Sequence, residues 1–69
     1  MKRFYCWFDG SSGRYVLQGK ELHCGDTFQI LIAGAWHDVR IEYSSNRWCL
    51  YGVPAGHSSA PDAYEARLY

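Results

Sequence analysis

The sequence predicts one small all-β domain over residues 1–69, built as a barrel of five or six short antiparallel strands with no long helix. Turn-forming clusters of Gly, Asp, Ser and Asn recur along the chain, and the short runs between them are rich in β-branched and aromatic residues. No stretch of about 11 residues has apolar positions at helical spacing. The three Trp, six Tyr and three Phe can give so short a chain a dense core.

Six strands are predicted, and the fourth has the clearest pattern. Their ranges are 3–8, 14–18, 27–33, 36–43, 47–52 and 64–69. In the fourth, charged residues alternate with His, Val, Ile and Tyr from His37 to Tyr43, which indicates one face turned inward. In the third, Phe28, Ile30 and Ile32 share a face, but Leu31 and Ala33 are also apolar, so we expect this strand to be covered on both sides.

The first, fifth and last strands also alternate. In the first, Phe4, Cys6 and Phe8 face away from Tyr5 and Trp7. In the fifth, Trp48 and Leu50 oppose Cys49 and Tyr51, and in the last, Tyr64, Ala66 and Leu68 oppose Glu65 and Arg67. Tight turns are predicted around Gly34 and at 44–46. The longest connection, 53–63, is either a functional loop or a plain connector.

Charge and cysteine content narrow the setting. Seven basic and seven acidic residues cancel, which makes nucleic-acid binding less expected and permits self-association. No apolar run is long enough to cross a membrane, and the apolar stretch after Met1 ends too early for a signal peptide. Cys6, Cys24 and Cys49 are odd in number, so we expect reduced thiols and a cytoplasmic location.

Several segments together resemble a known family. They are Asp9-Gly10, Gly13-Arg14-Tyr15, the run 22–28, Gly34-Ala35-Trp36, the run 40–43 and Trp48-Cys49-Leu50-Tyr51. The pattern over residues 1–52 is similar to a family of small uncharacterised domains from Gram-positive bacteria and their mobile elements. The resemblance implies an SH3-like barrel and a mobile-element or phage setting. It implies no activity and no site residues, and the chain departs from the family pattern after Gly52.

No catalytic, metal or cofactor site is predicted. His23, Cys24, Cys49, Cys6 and His57 are the candidate metal ligands, but they lack the paired spacing that zinc requires. Cys24 with His23, His37 or His57 could form a nucleophilic pair, yet Cys24-Gly25-Asp26 is more typical of a turn. The segment 9–13 is rich in Gly and Ser but opens no helix, so it does not predict a phosphate loop.

The surplus of aromatic residues is the strongest functional signal. A barrel this small has one interior, so both faces of the first and fifth strands cannot be enclosed, and some rings should face solvent. Exposed Trp and Tyr mark binding sites, although scattered surface rings are ordinary. Arg40 and Arg67 either pair on a solvated face with Asp38, Glu42 and Glu65 or anchor an acidic or phosphate-bearing ligand. The predicted binding residues are Tyr5, Trp7, Trp36, Arg40, Trp48, Tyr51 and Arg67.

We therefore expect a non-enzymatic binding module that contacts a protein partner, or itself, through one aromatic patch from the first, fourth and fifth strands. A mobile-element setting suggests an inhibitor of a host or defence protein. One alternative is an oligomer that sequesters a nucleotide, with rings stacked on the base and Arg40 or Arg67 on the phosphate. Another is a barrel that binds single-stranded nucleic acid. No membrane contact is expected.

Overall fold

The structure, a computed structural model, describes residues 2–69 and contains seven short strands and no helix in that range. The strands are β1 (Trp7–Asp9), β2 (Arg14–Leu17), β3 (Lys20–Glu21), β4 (Thr27–Ile32), β5 (Ala35–Ser44), β6 (Arg47–Tyr51) and β7 (Ala66–Arg67). They form two antiparallel sheets, one in the order β1-β2-β3 and the other in the order β6-β5-β4-β7. The predicted all-β class is confirmed.

The first predicted strand is divided between the two sheets. Only Trp7–Asp9 pairs with β2, whereas the residues before it pair with the end of the chain. Tyr5 forms an isolated bridge with Glu65, and the Ala66 amide donates to the Phe4 carbonyl at 2.8 Å. The chain therefore crosses from one sheet to the other at Cys6, and the six-residue strand predicted here becomes two short pairings.

The additional strand is β3, which was not among the six predicted strands and which pairs with β2 across a tight turn. Gln18 and Gly19 have φ of 51° and 80°, and Leu17 pairs with Lys20 across them. Two successive residues with positive φ form the tight hairpin turn that matches strand twist. The Gln18 side chain also accepts a 2.9 Å hydrogen bond from the Leu68 amide. The turn is thus tied to Leu68, just after β7, by a contact that local propensity does not reveal.

The core lies between the inner faces of the two sheets. Its buried members come from every strand except β1 and β3, together with the adjoining segments; they are Cys6, Leu17, Leu22, Phe28, Ile30, Val39, Ile41, Leu50 and Ala66. The alternation predicted for β4, β5, β6 and β7 is confirmed at these positions. Leu31 is half-buried and Ala33 exposed, so the outer side of β4 is less covered than expected.

The long connection 53–63 packs against the open edge of β6. The Leu50 amide donates to the Ser59 carbonyl at 2.8 Å, and the Tyr64 hydroxyl donates to the Ser58 carbonyl at 2.6 Å. Pro61 is fully buried. The loop therefore shields backbone groups that would otherwise form a free strand edge. Across residues 2–69, no helix could span a membrane.

Candidate functional site

Two pairs of aromatic rings, one from each sheet, face each other across a cleft. Phe8 of β1 and Tyr15 of β2 are direct cross-strand partners whose ring centroids lie 5.4 Å apart at 64°. Tyr43 of β5 and Trp48 of β6 are likewise partners, 5.1 Å apart at 58°. Tilted and edge-to-face pairs of this kind stabilise both rings. We call these four residues the aromatic cleft.

A hydrogen bond between the sheets fixes the width of the aromatic cleft. The Trp48 indole Nε1 donates to the Gly13 carbonyl oxygen at 3.1 Å, which joins β6 to the turn between β1 and β2. The cavity beside this bond measures about 500 Å³, and Asn46 and Arg47 complete its wall. A second cavity of about 300 Å³ shares Trp48 and Tyr43 and reaches Cys24. The indole is thereby held in one orientation.

The four rings lie on the inner faces of their strands, beyond the end of the core. Each is two positions along the chain from a buried residue and so points to the same side of the sheet. Those buried neighbours are Cys6, Leu17, Ile41 and Leu50. Tyr15 and Trp48 pack against the core, whereas Phe8 and Tyr43 are each 51% exposed. The aromatic cleft is therefore an open end of the hydrophobic core.

The opposite side of the four-stranded sheet has a different character. Arg40 and Tyr51 are cross-strand partners, with the Arg40 guanidinium 5.4 Å from the ring centroid. The Arg67 guanidinium lies 4.0 Å from the centroid of the Trp36 ring. These four residues project from the side that faces away from the core, and we call this side the outer face.

A chain of hydrogen bonds crosses the outer face from β7 to β5. Arg67 Nε donates to Gln29 Oε1 at 2.8 Å, and Gln29 Nε2 donates to Asp38 Oδ1 at 3.0 Å. The Tyr69 hydroxyl donates to the same Asp38 oxygen at 2.6 Å. The hydrogen bonds from Tyr69 and Gln29 stabilise the Asp38 carboxylate and therefore lower the pKa of Asp38. The bond to Asp38 in turn raises the pKa of Tyr69. The outer face is thus held by polar contacts.

The chain matches one known family over nearly its whole length. A family model described as "Domain of unknown function (DUF5348)" matches residues 5–68. The chain belongs to the DUF5348 family. No curated protein matches the chain. A crystal structure of a protein from Ruminococcus gnavus is similar, with 26% sequence identity and a TM-score of 0.75 over 97% of this chain and 100% of that one. The predicted membership of a family of unknown function is confirmed. The match continues to residue 68, although the sequence predicted a departure from the family pattern after Gly52.

In this DUF5348 domain the predicted binding residues do not form one patch. Trp36, Arg40, Tyr51 and Arg67 are on the outer face, whereas Trp48 is in the aromatic cleft. Tyr5 and Trp7 line a separate shallow cavity beside Arg3 and Gly19. The single patch predicted from the sequence is corrected to three locations. The physical reason is the two-residue period of a strand, which sends Trp48 and Tyr51 of β6 to opposite sides.

Sequence reasoning missed three of the four cleft rings. The predicted alternation places Phe8 on one face with Phe4 and Cys6 and places Tyr43 on the inward face of its strand, and it assigns Tyr15 to no face. Each of the three lies next to a predicted turn or within two residues of one, where an inward side chain can extend past the core. Position at the end of a strand is the signal that could have identified them.

Of the candidate histidine and cysteine ligands of this DUF5348 domain, His23 and Cys24 lie in a turn and Cys6 lies in the core. The His23 amide donates to Asp26 Oδ2 at 2.8 Å, and Gly25 has φ of 91°, as expected of a turn at 24–26. Cys6 is buried. Burial, and to a smaller extent the negative charge of the nearby Asp62, raises the pKa of its thiol to about 12. Within residues 2–69, no three His, Cys, Asp or Glu side chains are grouped as a metal would require.

Proposed function

We propose that this DUF5348 domain is a non-enzymatic binding module whose aromatic cleft contacts a protein partner. The observation that carries the proposal is the open end of the core, where Phe8 and Tyr43 leave about half of their surface in water. Side chains this apolar gain free energy when a partner covers them. Tyr and Trp are also the residues most enriched at the energetic centres of protein interfaces.

The rigidity of the aromatic cleft supports the proposal. Trp48 is held by its bond to Gly13 and by packing on the core, and each ring is braced by its cross-strand neighbour. A surface that is already ordered loses little conformational entropy on binding. The cavity wall consists of aromatic rings with Gly13, Asn46 and Arg47, and no carboxylate or imidazole is among these residues. Such a wall suits contact rather than acid–base chemistry.

The proposal can be tested by selecting peptides from a displayed random library on the wild-type protein. The cleft variant carries Phe8→Ser and Tyr43→Ser, and the control variant carries Tyr5→Ser and Trp7→Ser. The four rings are matched in exposure, at 51%, 51%, 50% and 54%. We expect the selected peptides to bind the cleft variant at least about tenfold more weakly, as loss of interface anchors requires, and to bind the control variant as they bind the wild type.

Either of two results would reject the proposal. One is that no peptide is enriched on the wild type, and the other is that enriched peptides bind the cleft variant with undiminished affinity. Urea denaturation of both variants shows whether each is folded under the binding conditions. Light scattering on the same samples tests a second copy of the chain as the partner, which would appear as a dimer that the cleft variant does not form.

A planar small ligand is a second candidate because of the size of the cavity. Its volume of about 500 Å³ falls within the range of roughly 300–1,000 Å³ that is typical of small-molecule sites. Arg47 stands beside the rings, where it could meet a phosphate, so a pocket between subunits is not needed for this role. A thermal-shift screen against nucleotides should then show stabilisation that Arg47→Ala abolishes. The absence of any shift would remove this candidate.

The narrower predictions rest on the sequence alone. They are an SH3-like barrel, a mobile-element or phage setting, an inhibitory action on a host or defence protein, and a cytoplasmic location. Single-stranded nucleic acid is the weakest of the proposed ligands, because the seven basic and seven acidic residues leave no net charge to attract phosphates.

A further inference from the structure

The outer face contains two arginines stacked on aromatic rings, and they differ in one respect. Arg40 lies over Tyr51 and places its Nε 2.7 Å from the Glu42 carboxylate. Arg67 lies over Trp36, but its Nε bonds to the neutral amide of Gln29. Within residues 2–69, no carboxylate oxygen lies within 4.0 Å of Arg67. One stacked guanidinium has a carboxylate partner, and the other has none in this part of the chain.

Contacts on two sides hold the Arg67 guanidinium in place. The Trp36 ring supports one face of the group, and Gln29 fixes the Nε edge. Gln29 can adopt only one amide orientation here, because its oxygen must accept from Arg67 while its nitrogen donates to Asp38. Among the contacts of residues 2–69, the two terminal nitrogens of Arg67 take part in no hydrogen bond. A planar guanidinium fixed in this way suits a carboxylate, which it binds through two parallel hydrogen bonds.

A cavity of about 340 Å³ opens beside Arg67. Lys2 is a second cation in its wall, and Phe4, Trp36 and Leu68 provide apolar surface. Glu65 also lines the cavity. Its carboxylate lies 3.9 Å from the Arg3 guanidinium, which offsets its charge. Two cations beside apolar walls favour an anion that carries an apolar group.

We propose that Arg67, Trp36 and Lys2 form a binding site for a carboxylate on a short apolar stem. The site is separate from the aromatic cleft and does not depend on the function proposed there. Two sources have this chemistry, namely a small organic acid and a glutamate side chain of a bound peptide. The arrangement of Arg40 and Glu42 on the same face is its internal counterpart, with the carboxylate supplied by the neighbouring residue instead of by a ligand.

Two-dimensional NMR can test the site by titrating the ¹⁵N-labelled protein with sodium butyrate against sodium chloride at equal ionic strength. We expect the Arg67 Nε–H and Trp36 indole N–H signals to shift saturably with butyrate and not with chloride. Arg67→Lys keeps the charge but loses the two-pronged geometry, so it should raise the half-saturating concentration about tenfold. Arg40→Lys, the matched control, should leave it unchanged because Arg40 is already paired.

Further titrations distinguish the ligands. The peptides acetyl-Leu-Glu-Leu-amide and acetyl-Leu-Gln-Leu-amide differ in one carboxylate. If the glutamate peptide binds and the glutamine peptide does not, a peptide source is supported. If butyrate binds and neither peptide does, a small organic acid is supported. Inorganic phosphate that binds more tightly than butyrate would overturn the assignment to carboxylates. Equal responses to butyrate and chloride, or equal binding by wild type and Arg67→Lys, would reject the site. Because no cleft residue is altered, these results leave the peptide selection on the aromatic cleft unaffected.

Discussion

The aromatic cleft and the outer face both contain exposed or half-buried rings, but different neighbours cover them. On the outer face, arginine guanidinium groups lie over Trp36 and Tyr51, and polar bonds from Gln29 and Asp38 hold the arrangement. In the aromatic cleft, the rings contact one another, and Phe8 and Tyr43 remain half in water. Aromatic rings are thus part of a polar network on the outer face and are left open to a partner in the aromatic cleft.

The difference follows from which side of a sheet each ring occupies. An inner-face ring is anchored at its base by the core, and its exposure reflects where the core ends. An outer-face ring has no core beneath it and depends on the arginine guanidinium group that lies over it. We therefore expect changes in the aromatic cleft to cost more stability than matched changes on the outer face.

The largest expected difference is between the two tryptophans. Trp48→Ala removes ring packing on the core and the bond to Gly13, and we expect it to lower the free energy of unfolding by about 2–3 kcal/mol, somewhat below the cost at a fully buried site. Trp36→Ala loses mainly the contact with Arg67, for which about 0.5–1 kcal/mol is expected. Urea denaturation at one pH measures both.

Trp48→Phe separates the two contributions within the aromatic cleft. It keeps an aromatic ring but removes the indole donor, so about 0.5–1.5 kcal/mol of the loss should remain. Equal destabilisation by Trp48→Ala and Trp36→Ala would show that the inner and outer rings are equivalent, and the comparison would then fail.

A smaller effect is expected from two glycines with positive φ. Gly52 follows β6 with φ of 99°, and a Cβ there would lie 2.8 Å from the Asp38 carbonyl oxygen. Gly13, beside the aromatic cleft, has φ of 71° and no atom within 4 Å of such a Cβ. Gly52→Ala should therefore cost about 2 kcal/mol through strain and the backbone clash, whereas Gly13→Ala should cost about 1 kcal/mol through strain alone.

Thermal unfolding of Gly52→Ala and Gly13→Ala compares the two losses of stability directly. If Gly13→Ala were the more damaging change, the turn that accepts the Trp48 bond would be more tightly constrained than its surroundings indicate. The close approach of Gly52 to the Asp38 carbonyl oxygen would then not be the tighter of the two constraints.

Much of the fold could be predicted from alternation, because burial of one sheet face imposes a two-residue period. The period correctly placed Phe28, Ile30, Val39 and Ile41 in the core. The hairpin at Gln18 could not be predicted in this way. Its residue type is unusual at positive φ, and its side chain is fixed by the distant Leu68 amide. Contacts that depend on another strand leave little trace in the local sequence.

The candidate sites were less predictable than the fold, for the same reason. Whether Tyr43 is enclosed or open depends on how far the facing sheet extends, which no pattern within β5 records. The stacking of Arg67 on Trp36 depends on side-chain orientation between β7 and β5, two strands that do not pair with each other. The sequence predicted that rings would be in excess, but their division among the aromatic cleft, the outer face and the cavity beside Tyr5 and Trp7 required the three-dimensional arrangement.

The smallest expected effect is the pH dependence of the outer face. Asp38 has a lowered pKa in the folded chain, so its contribution to stability is present above its unfolded pKa and is lost as pH falls through the folded value. Tyr69 has a raised pKa, so its contribution is present below its unfolded pKa and is lost as pH rises through the folded value. Tyr69→Phe removes the shared bond and should flatten both the acid and the alkaline limbs of a stability profile.

Tyr51→Phe is the matched control, because Tyr51 lies on the same face and the Asp38 carboxylate is bonded to Tyr69 and Gln29 instead. Urea denaturation across the acid and alkaline ranges should show both limbs preserved in this variant. If Tyr69→Phe and Tyr51→Phe gave the same profile, the hydrogen bond to Asp38 would contribute nothing that solvent does not replace. The outer face would then be held by the stacked arginines and the hydrogen bonds of Gln29. The tyrosine at position 69 would not contribute to its contrast with the aromatic cleft.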